Sequence, residues 1–187
     1  MEETSIIISG FGGQGTLFAG QVLAYTALDH DFEVTWIPSY GPEMRGGTAH
    51  CTVIVSEEPI GSPLVRNPDI VLALNLPSVD KYEPVLPDGG ALIANASLVN
   101  RDIKRAEIDS LLIPANEIAE EIGMARLANM VMVGAMIQIR PIFSLEMTKE
   151  SLQAHIPERH QKTLPMNFQA LERGYAFAEK EFSTVKV

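Results

Sequence analysis

Residues 5–15 read Ser5-Ile6-Ile7-Ile8-Ser9-Gly10-Phe11-Gly12-Gly13-Gln14-Gly15. The first five are short, apolar and β-branched, the pattern of a strand buried on both faces of a parallel sheet. The next six match G-x-G-x-x-G. A helix pattern follows through Leu17, Ala19, Val22, Leu23, Ala27 and Leu28. Strand, glycine turn and helix in that order are the opening of an α/β fold. Gly10 permits a tight turn, Gly12 leaves room for a ligand's phosphates, and Gly15 lets the helix pack closely on the strand. The free N–H groups at the helix start favour an anion.

Downstream the same alternation continues. Phe32–Ile37, Ala49–Val55, Asp69–Leu74, Ala91–Ala94 and Leu111–Ile113 read as strands. Helices are expected over Ile118–Ile122 and Leu127–Ile139, with Pro141 ending the second by removing a backbone donor. Lys149–Ile156 and Phe168–Phe182 read as amphipathic helix. These elements predict an α/β, Rossmann-like domain with a mostly parallel sheet covered by helices on both faces. The 187 residues fit one domain, 1–187, since domains run to about 100–200 residues.

Two readings stay open for the turn formed by Gly10, Gly12, Gly13, Gln14 and Gly15. One is cofactor binding through phosphates, the other a close strand–helix turn. Dinucleotide binding requires a carboxylate at the end of the second strand. That strand ends Trp36-Ile37-Pro38-Ser39-Tyr40, and Asp29 and Asp31 precede it. No Gly-Lys-Ser/Thr follows the glycines, which excludes a P-loop.

A second loop stands out: Ser39-Tyr40-Gly41-Pro42-Glu43-Met44-Arg45-Gly46-Gly47. Gly-Pro and Gly-Gly dictate a shaped, non-helical segment. Arg45 suits a carboxylate or phosphate, and Glu43 suits Arg45 itself or a partner's base. The alternative is a turn held by an internal Glu43–Arg45 pair. Its expected place is beside the glycine turn, at the carboxyl ends of the strands where α/β sheets bind ligands.

Composition narrows the function classes. The chain has 14 Lys+Arg against 24 Asp+Glu, a formal charge of −10, which opposes binding to a phosphate backbone. Its one cysteine, Cys51, cannot form an internal disulfide, nor hold an iron–sulfur cluster that takes four thiolates. The acidic Met1-Glu2-Glu3 start lacks the basic region of a signal peptide. The longest apolar stretch, Met130–Ile137, is far below the roughly 20 residues that span a bilayer. A cytoplasmic protein is expected, with no nucleic-acid or membrane partner.

The glycine turn with Gln14 inside it, followed by Ser39–Gly47, resembles the gamma subunits of 2-oxoacid:ferredoxin oxidoreductases, of the 2-oxoglutarate and 2-oxoisovalerate type. The resemblance extends over most of the chain. It implies a complex that decarboxylates a 2-oxoacid, passes electrons to ferredoxin and forms an acyl-CoA. It further implies alpha, beta and ferredoxin-like delta partner subunits. Thiamine diphosphate, magnesium and the iron–sulfur clusters are expected mainly on those other chains. The single cysteine agrees, as does the lack of a Gly-Asp-Gly thiamine–metal motif, for which Asp88-Gly89-Gly90 is a poor substitute. The resemblance assigns no catalytic or metal-binding residue to this chain, which is expected to be inactive alone. It suggests an assembling or active-site-shaping part near the coenzyme A end. The alternatives are a free-standing nucleotide-binding dehydrogenase and a non-enzymatic interaction module.

Other features read as structural. His155 and His160 are off the one-turn spacing for a shared metal. Adjacent His50 and Cys51 point to opposite faces of a strand, so they are no nucleophile–base pair. Met124, Met130, Met132 and Met136 suit core filling. The Asn95-Ala96-Ser97 sequon has no meaning in the cytosol, and Glu120-Glu121 suits a solvated helix face.

Overall fold

The computed structural model describes residues 3–39 and 48–185. Chain order is β1 (Thr4–Phe11), α1 (Thr16–Asp29), β2 (Glu33–Ser39), β3 (Thr48–Ser56), β4 (Ile70–Ala73) and α2 (Leu76–Tyr82). Then come β5 (Ala91–Asn95), β6 (Asp109–Ile113), α3 (Ala115–Ile122), α4 (Ala128–Ile139), α5 (Leu145–His155) and α6 (Leu164–Val185).

The strands form one sheet in the order β2-β3-β1-β4-β5-β6. Pairing is parallel for β1–β4, β4–β5 and β5–β6, and antiparallel for β1–β3 and β2–β3. Two reversals cancel, so β2 runs with β1 and β3 alone opposes the rest. The mostly parallel α/β sheet is therefore as expected, with β3 inserted between the strands that α1 connects.

The two faces are covered unequally. On one, Ile6, Ile8, Cys51 and Val53 pack with α1, α3, α4, α5 and α6. On the other, Ile7, Val71, Ala73, Leu92 and Ala94 meet Val79 and Tyr82 of α2, with Leu86, Val99 and Ile108 completing the layer. α4 is buried nearly all round, from Ala128 to Ile139 with Gln138 the exception. An apolar helix without a polar face belongs inside a core. Met130, Met132 and Met136 all lie there at 0 % exposure, which makes them core packing. Among the described residues no helix is long and apolar enough to cross a membrane.

Several elements depart from their sequence reading, among them α2 and the starts of α3, α5 and α6, which come three or four residues earlier than expected. α2 was not expected; it is a short helix with Asn75 as N-cap and a proline in its first turn. α5 starts earlier than the apolar pattern indicates, because Ser144 caps it by accepting from the Met147 N–H at 3.1 Å.

Candidate functional site

β1 delivers the chain to the carboxyl edge of the sheet, where Phe11 to Gly15 turn back into α1. Gln14 N–H donates to the Phe11 carbonyl at 3.1 Å and closes the turn. The glycines have different duties. A Cβ on Gly10 would lie 2.6 Å from Gln14 Oε1, so glycine there makes the seat for the glutamine side chain. A Cβ on Gly15 would lie 2.4 Å from Asn129 Nδ2, and Gly15 also takes φ +78°. Asn129 uses that closeness to donate to the Gly15 carbonyl at 3.0 Å. The outer glycines thus serve internal packing. Gly12 and Gly13 are exposed, and nothing lies within 4 Å of a Cβ built on Gly13.

This exposed pair sits at the start of α1. Gly15 is the N-cap residue and offers no side-chain cap, and the first turn carries no acidic residue. The helix start can therefore meet an anion with backbone N–H groups.

The turn stands where α1 and α2 leave neighbouring parallel strands toward opposite faces, the place where open α/β sheets bind ligands. Asparagines line that crevice. Asn75, after β4, accepts at Oδ1 from Ser78 N at 3.0 Å and from Ser78 Oγ at 2.8 Å. Ser78 Oγ also lies 2.9 Å from Ser9 Oγ of β1. Asn95, ending β5, donates to Asn116 Oδ1 at 3.0 Å and accepts from Ala115 N at 3.2 Å. The asparagines tie the strand ends and helix starts into one rim.

Clefts of about 190 and 280 Å³ both border Gly13. Arg126 lines both. It is exposed, and among the described residues its side chain makes no hydrogen bond or ion pair. A further cleft of about 320 Å³ shares Phe18, Ile156 and His160 with the larger of the two and adds Arg159. On a chain of charge −10, these clefts carry two cations, Arg126 beside Gly13 and Arg159 in the further cleft.

The second predicted loop is reached only at its root. Ser39 ends β2 and pairs with His50, while Thr48 begins β3 opposite Phe11. Both strands thus meet the segment beside the glycine turn. Tyr40, Gly41, Pro42, Glu43, Met44, Arg45, Gly46 and Gly47 lie outside the described residues.

The insertion of β3 bears on the dinucleotide reading. It moves the end of β2 one strand further from the glycine turn, a shift of about 4.8 Å. Asp29 ends α1 and is held by His155 Nε2 at 2.9 Å, so it does not face the turn as a ribose ligand.

His155 also stacks on Tyr25, ring centroids 4.0 Å apart. It is a clasp between α1 and α5. Cys51 is fully buried against Thr16 and Gly20, and burial pushes its thiol up to about 12. A thiol so far from ionisation is core filling. His50, on the other face, lies 6.2 Å from the Tyr82 ring; burial, then the Lys81 charge, lowers its pKa. Among the described residues no group of three or more His, Cys, Asp or Glu is arranged to hold a metal.

Arg126 and the asparagine rim were missed from the sequence. A signal existed for two of the asparagines: Asn75 and Asn95 each close an apolar strand, after Leu74 and Ala94. Arg126 sits in a short turn with nothing in its neighbours to mark it.

The family model of pyruvate ferredoxin/flavodoxin oxidoreductases matches residues 5–177, from the first strand into the last helix. The chain belongs to that family. A 2-oxoglutarate synthase subunit KorC from Methanocaldococcus jannaschii is 37% identical over 179 residues, covering 94% of this chain and 94% of the relative. A ketoisovalerate oxidoreductase subunit VorA from Methanothermobacter thermautotrophicus is 36% identical over 179 residues, covering 95% of this chain. The chain spans only 37% of that relative's length. The crystal structure of a keto/oxoacid ferredoxin oxidoreductase gamma subunit from Geobacter sulfurreducens superposes with a TM-score of 0.80 at 29% identity, covering 95% and 99% of the two chains. The likeness to that gamma subunit extends over nearly the whole of both chains, so the two share this α/β fold.

Proposed function

We propose that this chain is the gamma subunit of a 2-oxoacid:ferredoxin oxidoreductase, and that its glycine turn receives the phosphates of coenzyme A at the edge of a shared active site. The observation that carries this reading is the division of labour in the turn. Gly10 and Gly15 are consumed by packing, while Gly12 and Gly13 face outward at an uncapped helix start beside Arg126. Similarity to the KorC relative and to the Geobacter gamma subunit along nearly the whole of this chain supports the gamma reading.

The chemistry would be distributed. Thiamine diphosphate, with magnesium, supplies a carbanion-stabilising centre for decarboxylation, and iron–sulfur clusters carry the electrons to ferredoxin. This chain's one cysteine is buried with a raised pKa, so a cluster does not fit here. The alpha, beta and ferredoxin-like delta subunits would carry those groups, in the cytoplasm. This chain's own residues would bind and orient. The N–H groups at the start of α1 and the Arg126 guanidinium would take the phosphates. The Ser39–Gly47 segment would contact a partner subunit or the substrate end. A free-standing dinucleotide dehydrogenase is disfavoured by the distance that β3 puts between β2 and the turn.

The test is affinity purification of the chain from its native cell, followed by mass and absorbance spectra. The reading predicts stoichiometric partner chains with iron–sulfur absorbance. A lone chain retaining NAD or FAD would contradict it.

A further inference from the structure

Gln14 is half-buried inside the glycine turn, and its hydrogen bonds all run inward. Its Oε1 accepts from the Phe11 backbone N–H at 2.5 Å and from Asn75 Nδ2 at 3.1 Å. Its Nε2 points at the Leu74 carbonyl, 3.4 Å away. These partners fix the orientation of the amide. Turned over, it would set its NH₂ against two donors and its oxygen against a carbonyl.

Asn75 has the same inward character. It is 1 % exposed, its Oδ1 is committed to capping α2, and its Nδ2 is given to Gln14. Ser78 and Ser9, at 0 and 1 % exposure, continue the chain of contacts into β1. Gly10 completes the arrangement, because any Cβ there would displace Gln14 Oε1.

We propose that Gln14 is a positioning residue. It does not touch the ligand of the turn. It holds the Phe11–Gly12–Gly13 backbone in the shape that does, and Asn75 holds Gln14. The inference rests on the reading that the turn carries coenzyme A phosphates. It assigns Gln14 a different role from that of Gly12 and Gly13, with which it shares the motif. The physical reason is preorganisation: a glycine pair without side chains has no means of its own to stay in one conformation. A neighbouring amide that bonds both the turn backbone and the next helix cap supplies it.

The test uses steady-state kinetics of the assembled complex with coenzyme A varied at saturating 2-oxoacid. Gln14→Met keeps the length of the side chain and removes its hydrogen bonds. It is expected to raise KM for coenzyme A at least tenfold, with kcat within about twofold. Asn75→Asp retains the α2 cap and turns the donor facing Gln14 into an acceptor, and it is expected to act in the same direction. The double variant should be no worse than Gln14→Met alone, since both break one linkage. An unchanged KM with only a lowered melting temperature would overturn the proposal, as would effects of the two variants that multiply. Asn75→Asp carries the test alone if Gln14→Met does not assemble. Gly12→Val separates the two levels. If it raises KM while Gln14→Met does not, the positioning role fails and the coenzyme A reading stands. If Gly12→Val also leaves KM unchanged, that reading falls and the proposal with it.

Discussion

A Cβ added to Gly134 would lie 2.0 Å from the Leu171 carbonyl oxygen, so α4 and α6 meet backbone to backbone. The contact is reciprocal: a Cβ on Gly174 would lie 1.8 Å from the Val131 carbonyl oxygen. Two glycines facing two main chains leave no flexible side chain to give way. Gly134→Ala is therefore expected to cost more than ordinary overpacking, at least about 3 kcal/mol. Gly61→Ala, where nothing lies within 4 Å, should stay within about 0.5 kcal/mol. Urea unfolding of both variants checks the contrast. A Gly134→Ala chain as stable as wild type would show that the helices sit further apart.

Glu83 predicts a pH dependence. It is 3 % exposed, and burial alone would raise its pKa. Arg101 at 2.8 Å and the backbone N–H groups of Lys104 and Arg105 outweigh burial and hold the carboxyl below its ordinary value of 4.5. A carboxylate depressed in the folded state stabilises fully above its unfolded pKa, and that contribution is lost as pH falls through the folded value. Glu83→Gln should cost about 1–3 kcal/mol at pH 7. The gap to wild type should close in acid, below pH 4.5. Denaturant melts across that range test this; a gap that widens toward acid would reverse the sign.

Gly12 is predicted to act at the site and not in the core. The positive-φ glycines of the turn are Gly13 and Gly15, and Gly12 is exposed. Gly12→Val should leave the thermal stability of the chain nearly unchanged while impairing activity or assembly of the complex. Calorimetry beside reconstituted activity decides it. Lost stability with intact activity would make the glycine a matter of chain geometry.

How much of this was legible in the sequence depends on what each signal encodes. The Ile6-Ile7-Ile8 run and the glycine turn gave β1 and α1 in place, because a buried strand and a tight turn each need particular residue types. The reversed direction of β3 was not legible, since alternation along Thr48–Ser56 reports which face is buried and not which way the strand runs. α2 was hidden by its length of 7 residues, too short to show helical periodicity. Its cap and proline, Asn75 and Pro77, were the available cue. Gln14 was read with the glycines among the cofactor-binding residues of the turn; its hydrogen bonds to Phe11, Asn75 and Leu74 were not legible, because motif and spacing do not say which way a side chain points. Arg126 stands out only through its neighbours in space, the clefts that Gly13 also borders, and no local pattern marks such a residue.

Arg45 lies outside the described residues, and its prediction rests on the sequence and on where its segment is rooted. Ser39 and Thr48 flank that segment beside the glycine turn. A guanidinium there can make two parallel hydrogen bonds to a carboxylate or phosphate, whereas an ammonium makes a point contact. Arg45→Lys is expected to weaken the assembled complex or its coenzyme A use by roughly 2–5 kcal/mol, as for a buried charge pair. An effect below about 1 kcal/mol would reduce it to a surface pair with Glu43. Subunit affinity and kinetics of the complex, measured together, separate these outcomes.

The central claim is that this chain supplies the coenzyme A end of a shared active site and no redox chemistry of its own. The most direct measurement is 2-oxoacid- and coenzyme A-dependent viologen reduction by three preparations: the chain alone, its partner subunits without it, and all together. The account predicts no turnover by the chain alone. The partners without it should show no coenzyme A-dependent turnover, and adding the chain should restore it. Turnover by the isolated chain, or full coenzyme A-dependent activity in its absence, would contradict the account.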